Sequence, residues 1–318
     1  MVKGGNHWRT LSGSEFGLSA AISDHLSASV GDDRIANLRS ADSLLMFSDY
    51  GGAHKQARYE IISFLALTLP GLRSFDDERR RLREGSMGSE RRMSYKALND
   101  TMRMRSLPSF LTAADQLQGL LISFALDKRS MGRMSERYAA AAAFGELGRW
   151  AEGSFGKLTR IGHLGAIIVE GVRREGQDLI WISDQDEIAP NDAKHVEATR
   201  VLGHYLNSYC TGNMGHFRFG TTASDAGDLL IEDLAAVPDL AAGCLGDVLS
   251  RWAPHPESSS VNRVFVPAGG DFPIKTVEIA SWLAASSAAL GKLCVVVDEG
   301  RAGCSVRSFE TVTRLEEL

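Results

Sequence analysis

The sequence predicts an α/β fold in which helices flank a mixed sheet of about five strands. The first observation is the stretch SLLMFSDYGG at residues 43–52, whose apolar or small run Leu44–Ser48 is typical of a strand buried on both faces. The second is a series of similar apolar runs further along the chain. The third is that helical stretches separate most of the later runs, which is the pattern of an α/β sheet covered by helices.

The remaining elements follow from apolar runs and from turn residues at their ends. The Gly51-Gly52 turn and the short connection after it predict a hairpin between the first strand and a second one that Pro70 ends. This second strand is predicted at 59–69, and three further strands are predicted at 119–126, 178–188 and 215–222. Helices are predicted at 108–117, from 135 to about 172, at 192–209 and from 238 to about 252, the last with Pro238 in its first turn.

The pattern divides the chain into three parts. Residues 1–42 are rich in Ser, Gly and Asp and are interpreted as an N-terminal arm or cap, and residues 43–252 as the main domain. Residues 253–318 begin with a predicted linker, APHPESSS at 253–260, and form a C-terminal αβ extension. Its predicted elements are a strand at 264–266, a helix at 274–290 and a strand at 293–297. This extension either continues the sheet or forms a subdomain.

A basic segment interrupts the main domain at residues 73–105. It carries ten Lys or Arg residues against six acids, and we interpret it as a helical insertion on the surface. Either it grips a phosphate backbone, or its bases pair with its own interleaved acids on a solvated helix face. On the first interpretation, the candidate substrate contacts in it are Arg91, Arg92 and Lys96.

Composition narrows the class of protein. The chain has 318 residues, of which 44% are hydrophobic and 24% charged, as in ordinary globular proteins. Its net charge of -5 argues against a protein that coats nucleic acid non-specifically, although a local basic groove is compatible with it. The four cysteines show no CxxC pair, which predicts a reducing cytoplasmic location and no structural zinc. We see neither a signal peptide nor a membrane-spanning run, and expect no membrane partner.

Acidic side chains follow two of the predicted strands and begin one predicted helix. Asp49 ends the first strand, Asp184 ends the strand at 178–188 with Asp186 close by, and Asp239 follows Pro238. Carboxylates at strand ends lie on the rim of a sheet, where open α/β folds bind ligands. Taken singly, each acid is equally typical of a turn or of a helix start.

The order of these elements and acids resembles the RNase H-like fold of the retroviral-integrase superfamily. The segments FSDYGG, MSYKALND, LISFALDK, WISDQDEI and VPDLAAGCL are similar to those of an uncharacterised bacterial family of RNase H-like domains, over roughly residues 43–250. Pro238 stands where a small residue is usual before the last acid. The resemblance implies that the first and fourth strands lie side by side, so that their terminal carboxylates meet, and that the last helix adds another acid.

The resemblance also implies a cofactor and a reaction. Asp49 would bridge two Mg²⁺ or Mn²⁺ ions, and Asp184 and Asp239 would each help to hold one, with Asp186 as a further ligand. The fourth carboxylate would come from the helix after the third strand, with Glu146 as first candidate and Glu136 as second. Several nearby acids, among them Asp228 and Asp233, leave the ligand assignment open. Two such ions hydrolyse a phosphodiester by stabilising charge on the attacking and leaving oxygens.

Three functions are compatible with the sequence. The leading hypothesis is a metal-dependent nuclease that cleaves DNA or RNA, with Lys128 as another candidate phosphate contact. The alternative is a catalytically inactive RNase H-like subunit that binds nucleic acid, a protein partner or a second copy of itself in a bacterial complex, for example in defence. The third is a hydrolase of small phosphate esters. Walker, GxGxxG, HExxH and GxSxG motifs are absent from the sequence.

Overall fold

The computed structural model describes residues 5–13, 16–51, 57–88, 90–128, 150, 153–251, 263–265, 272–300 and 303–312. Its helices are α1 (Leu18–Ser29), α2 (Asp32–Arg39), α3 (Arg73–Leu82), α4 (Thr101–Ala114), α5 (Ser154–Val172), α6 (Asp192–Tyr209), α7 (Leu230–Arg251) and α8 (Ile274–Ala284). Its strands are β1 (Ser43–Gly51), β2 (Tyr59–Thr68), β3 (Gly119–Asp127), β4 (Asp178–Ser183), β5 (Phe217–Thr221), β6 (Arg263–Phe265), β7 (Leu290–Gly300) and β8 (Gly303–Val312).

One mixed sheet organises the described chain. Seven strands lie in the order β5-β4-β1-β2-β3-β7-β8, and the short β6 pairs with the outer edge of β8. β1 is antiparallel to β2 and parallel to β4, so the expected neighbours of the first strand are confirmed. The expected count of about five strands is wrong, because β7 continues the sheet by pairing in parallel with β3.

The sheet is buried on both faces, and the alternation of side chains divides its residues between two apolar clusters. Leu45 and Phe47 of β1 pack on the face covered by α3, α4, α7 and α8. Leu44 and Met46 face the opposite layer, where α1, α2, α5 and α6 lie. The segment 1–42, predicted as an arm or cap, therefore contains two helices, α1 and α2. Both belong to one outer layer of a three-layer structure.

Several boundaries differ from the predicted ones for local reasons. The last helix of the main domain begins at Leu230 and not at Pro238, because Asp225 Oδ2 accepts the N–H group of Ile231 at 2.8 Å. Pro238 lies inside α7, where it removes one helical hydrogen bond without ending the helix. α4 likewise begins at Thr101, with the Asp100 side chain as its cap, and contains Pro108.

The basic segment is less exposed than the predicted insertion. The side chains of Arg79 in α3 and of Arg83, which directly follows α3, are only 1% and 8% exposed. Both guanidinium groups bind Asp233 of α7, which is itself buried, with the Arg83 to Asp233 contact at 2.5 Å. Part of the segment therefore attaches α3 to α7, and its ion pairs within α3, such as Arg80 to Asp76, fit the second of the two interpretations.

Candidate functional site

Asp49 lies near the end of β1, and Asp184 directly follows its parallel neighbour β4 at the same edge of the sheet. In the register of β1 and β4, Ser48 lies opposite Ser183, and Asp49 and Asp184 are the residues that directly follow this last pair. Adjacent strands are about 4.8 Å apart, which places the two backbones close together. Asp49 is two residues after Phe47 and four after Leu45 on the same strand, so its side chain points to the same face as theirs, which α7 covers.

Helix α7 brings Asp239 to the end of β1. The helix crosses β1 at Gly51, where an added Cβ would lie 2.6 Å from the carbonyl oxygen of Ala242. Asp239 is one helical turn before Ala242 and therefore on the same side of α7. Glycine at position 51 thus permits the close approach that brings a carboxyl group from the middle of α7 to the end of β1.

Asp49 and Asp239 interact directly. Burial, and then the negative charge of Asp239, raise the pKa of Asp49 well above its usual value. Burial likewise raises the pKa of Asp239 to about 6, while hydrogen bonds from the Tyr95 N–H group and from Asp49 oppose that rise. Burial therefore disfavours the charged form of both carboxyl groups, and the charge of Asp239 adds to this effect at Asp49.

Asp184 and Asp186 lie close enough to influence this pair. The charges of both raise the pKa of Asp49, and that of Asp184 raises the pKa of Asp239. Asp184 Oδ1 accepts a hydrogen bond from Thr222 Oγ1 at 2.9 Å, and Asp186 Oδ1 accepts one from the Ile188 N–H group at 3.0 Å. Burial raises the pKa of Asp186 to about 6. The four predicted aspartates therefore lie near one another at this end of the sheet.

The predicted cations divide into two groups. Lys96 is exposed and close enough to Asp239 to lower the pKa of that carboxyl group. Lys128 follows β3. Burial lowers its pKa, the negative charge of Glu60 raises it, and the positive charge of Arg160 lowers it. The structure therefore places Lys96 beside the acids, whereas the described neighbours of Lys128 belong to a separate charged group.

Arg91 and Arg92 are exposed and have contacts within the protein. Arg91 Nη1 donates to the carbonyl oxygen of Met87 at 3.3 Å. Arg92 Nη1 lies 3.0 Å from Glu232 Oε1 at the start of α7. The predicted fourth carboxylates, Glu146 and Glu136, lie outside the described residues.

Glu232 is an acid near the site that sequence reasoning missed. Its side chain is 9% exposed. Burial and the charge of Asp184 raise the pKa of Glu232, whereas the positive charge of Arg92 lowers it. Glu232 precedes Asp239 by seven residues, which is two turns of α7 and the same side of the helix. The helix was predicted to begin at Pro238, after Glu232. Only because α7 begins eight residues earlier, at Leu230, do Glu232 and Asp239 lie on the same helix.

The donor chemistry of the site fits a hard divalent cation, because its carboxylates offer oxygen atoms and negative charge. Within the described ranges, Asp49, Asp184, Asp186 and Asp239 form no ion pair with Lys or Arg, so their charge is not neutralised by a direct contact. The arrangement is incomplete, however. Among the described residues, no group of three or more His, Cys, Asp or Glu side chains is positioned to hold a metal ion.

Comparison with known proteins adds no family. No protein-family model matches the sequence, and no curated protein is significantly similar to it. None of the described helices is long and apolar enough to cross a membrane.

Proposed function

We propose that this protein is a divalent-cation-dependent nuclease of the RNase H-like class. The observation that carries the proposal is the convergence of Asp49, Asp184 and Asp239 from two adjacent strand ends and one helix. Side chains from three separate parts of the chain meet there, although their mutual repulsion and burial raise the pKa values of two of them. Such an arrangement costs stability, and is typical of sites whose chemistry requires it.

The sheet supports the same proposal. The five strands β5-β4-β1-β2-β3 lie in that order, and within this group only β2 runs against the others. The resemblance to RNase H-like domains implies that the first and fourth strands are neighbours, with acids at their ends, and β1 and β4 are neighbours here. The acids here occupy those two positions.

Each residue has a defined role in the proposed reaction. Asp49, Asp184 and Asp239 would hold the cations, and Asp186 lies near enough to assist. Bound Mg²⁺ or Mn²⁺ would activate water and stabilise the charge on the phosphate oxygens. Lys96, exposed beside Asp239, would contact the phosphate backbone of the substrate.

A second candidate is a catalytically inactive RNase H-like subunit. One observation favours it: in the described part of the chain, no three acidic side chains are gathered for a metal ion. In that case the protein would bind nucleic acid or a protein partner through the same edge of the sheet, and would bind Mn²⁺ weakly or not at all.

Cleavage assays separate the two candidates. Labelled single-stranded, double-stranded and hybrid substrates are incubated with the protein and Mg²⁺, Mn²⁺ or EDTA. We expect cleavage that requires the cation and is lost in Asp49→Asn, because Asp49 is central to the cluster. Asp42→Asn is the matched control, since Asp42 is exposed and precedes β1 at the opposite end.

Asp42→Asn should cleave as the wild type does. If Asp49→Asn retained full activity, Asp49 would have no role in the reaction. If the wild type cleaved no substrate with either cation but still bound nucleic acid, the inactive subunit would be the better description.

A further inference from the structure

Tyr95 lies along one face of α7 and contacts three residues of that face. Asp239, Gly243 and Asp247 are spaced by four residues, which places them in a row along the helix. The Tyr95 N–H group donates to Asp239 Oδ2 at 2.5 Å, and the Tyr95 hydroxyl donates to Asp247 Oδ2 at 2.5 Å. A Cβ added to Gly243 would lie 2.3 Å from Tyr95 Cγ, so the side chain rests on the glycine between the two acids.

Helix α8 holds Tyr95 from the other side. Thr276 is fully buried, and its Oγ1 lies 2.7 Å from the Tyr95 hydroxyl. Lys275 Nζ donates to the Tyr95 carbonyl oxygen at 3.0 Å and lies 4.2 Å from the centre of the ring. Backbone, ring and hydroxyl of this one residue are therefore fixed by contacts with two helices.

We infer that Tyr95 is a positioning residue for Asp239, through which the packing of α7 and α8 fixes the carboxyl group at the candidate site. The N–H group engages one oxygen of Asp239 and so sets the rotation of the carboxyl group beside Asp49. A short hydrogen bond to a charged acceptor is among the stronger ones in proteins. The catalytic consequence rests on the proposed function, whereas the positioning itself does not.

The same contact places Lys96. Lys96 follows Tyr95 directly and begins a short 3₁₀ turn, Lys96–Asn99. Because Tyr95 is fixed on α7, the exposed amine of Lys96 is kept near Asp239. Displacing Tyr95 is therefore expected to disturb both the carboxyl group and the cation beside it.

Gly243→Ala tests this inference, because the new methyl group must displace the Tyr95 side chain. Gly203→Ala is the matched control: Gly203 is also inside a helix, and its added Cβ would meet only Phe217 ring atoms at 3.8 and 3.9 Å. The main measurement is the amide proton shift of Tyr95 by NMR in metal-free protein. We expect an upfield shift and faster hydrogen exchange in Gly243→Ala and no change in Gly203→Ala. An unchanged Tyr95 amide in folded Gly243→Ala overturns the inference.

Tyr95→Phe provides a second test if Gly243→Ala does not fold. It keeps the ring but removes the hydroxyl contacts with Asp247 and Thr276, so a smaller upfield shift of the residue 95 amide is expected, and no shift overturns the inference. Where the wild type cleaves, Gly243→Ala should also lower activity roughly tenfold to a hundredfold, as loss of a residue that orients a ligand does. A wild type without activity would remove the proposed function but leave the amide measurement valid.

Discussion

Asp49 near the end of β1 and Asp239 in the middle of α7 lie close enough that each influences the pKa of the other's carboxyl group. Their side chains are both partly buried, at a point where Gly51 allows the helix backbone to approach the strand. Two acids held together in this way cost folding energy at neutral pH, because burial and mutual repulsion disfavour their charged forms.

Asp239→Asn should stabilise the protein at neutral pH. Burial raises the pKa of Asp239 from 3.8 to about 6 in the folded protein, so folding binds a proton between these values. The stability of the wild type therefore decreases as the pH rises through this window, and the variant lacks that decrease. The gain is at most about 3 kcal/mol, since one pKa unit corresponds to roughly 1.4 kcal/mol.

Urea denaturation of both proteins between pH 4 and pH 8, without divalent cations, measures this difference. The difference in free energy of unfolding between the variant and the wild type should be small at the acid end, grow as the pH rises, and level off above the pKa of Asp239. Asp42→Asn serves as the control, because that side chain is fully exposed, and should show no such trend. A variant that is equally destabilised at every pH would contradict the account of the acid pair.

Lys96→Ala should raise KM for a nucleic acid substrate and change kcat little. Lys96 is exposed, so its contact with a phosphate would be made in the ground state and the transition state alike. An exposed ion pair contributes about 0.2–1 kcal/mol, which predicts an increase of up to about fivefold. Arg174→Ala, which removes the partner of Asp42 at the opposite end of β1, should leave KM unchanged. Equal effects of the two variants would argue against Lys96 as a substrate contact.

Asp233→Ala should destabilise the protein much more than Asp228→Ala. Asp233 is 1% exposed and binds the buried guanidinium groups of Arg79 and Arg83, which its removal would leave without that acceptor. Breaking a buried ion pair costs about 3–5 kcal/mol, whereas an exposed one contributes about 1 kcal/mol or less. Asp228, 55% exposed, also pairs with Arg79 and is the control. Equal losses in free energy of unfolding would show that burial does not determine the cost.

Local patterns predicted several elements well. The range of α6 matches the predicted 192–209, and β1 contains the predicted apolar run 44–48 but continues three residues beyond it to Gly51. The acids Asp49 and Asp184 could be placed on one sheet edge because each directly follows or ends an apolar strand. Strand β8, by contrast, was not predicted, since its alternating polar residues become a strand by pairing with β7.

Other features depend on contacts that the sequence does not reveal. The start of α7 depends on the side chain of Asp225, which accepts N–H groups of the first turn, and Pro238 is the more conspicuous helix signal. Tyr95 reaches Asp239 from a residue 144 positions away, and no local pattern marks such a contact. Glu232 was missed for a related reason, because its position beside Asp184 follows from the true start of the helix.

We propose that the aspartates at the ends of β1 and β4 and on α7 form one divalent-cation site. The most direct measurement is a crystal structure of the protein grown with Mn²⁺, with anomalous scattering used to locate the ions. We expect Mn²⁺ bound between Asp49, Asp184 and Asp239, with a rotated Asp184 side chain completing the group. Anomalous density elsewhere only, or none at this edge at millimolar Mn²⁺, would contradict the account.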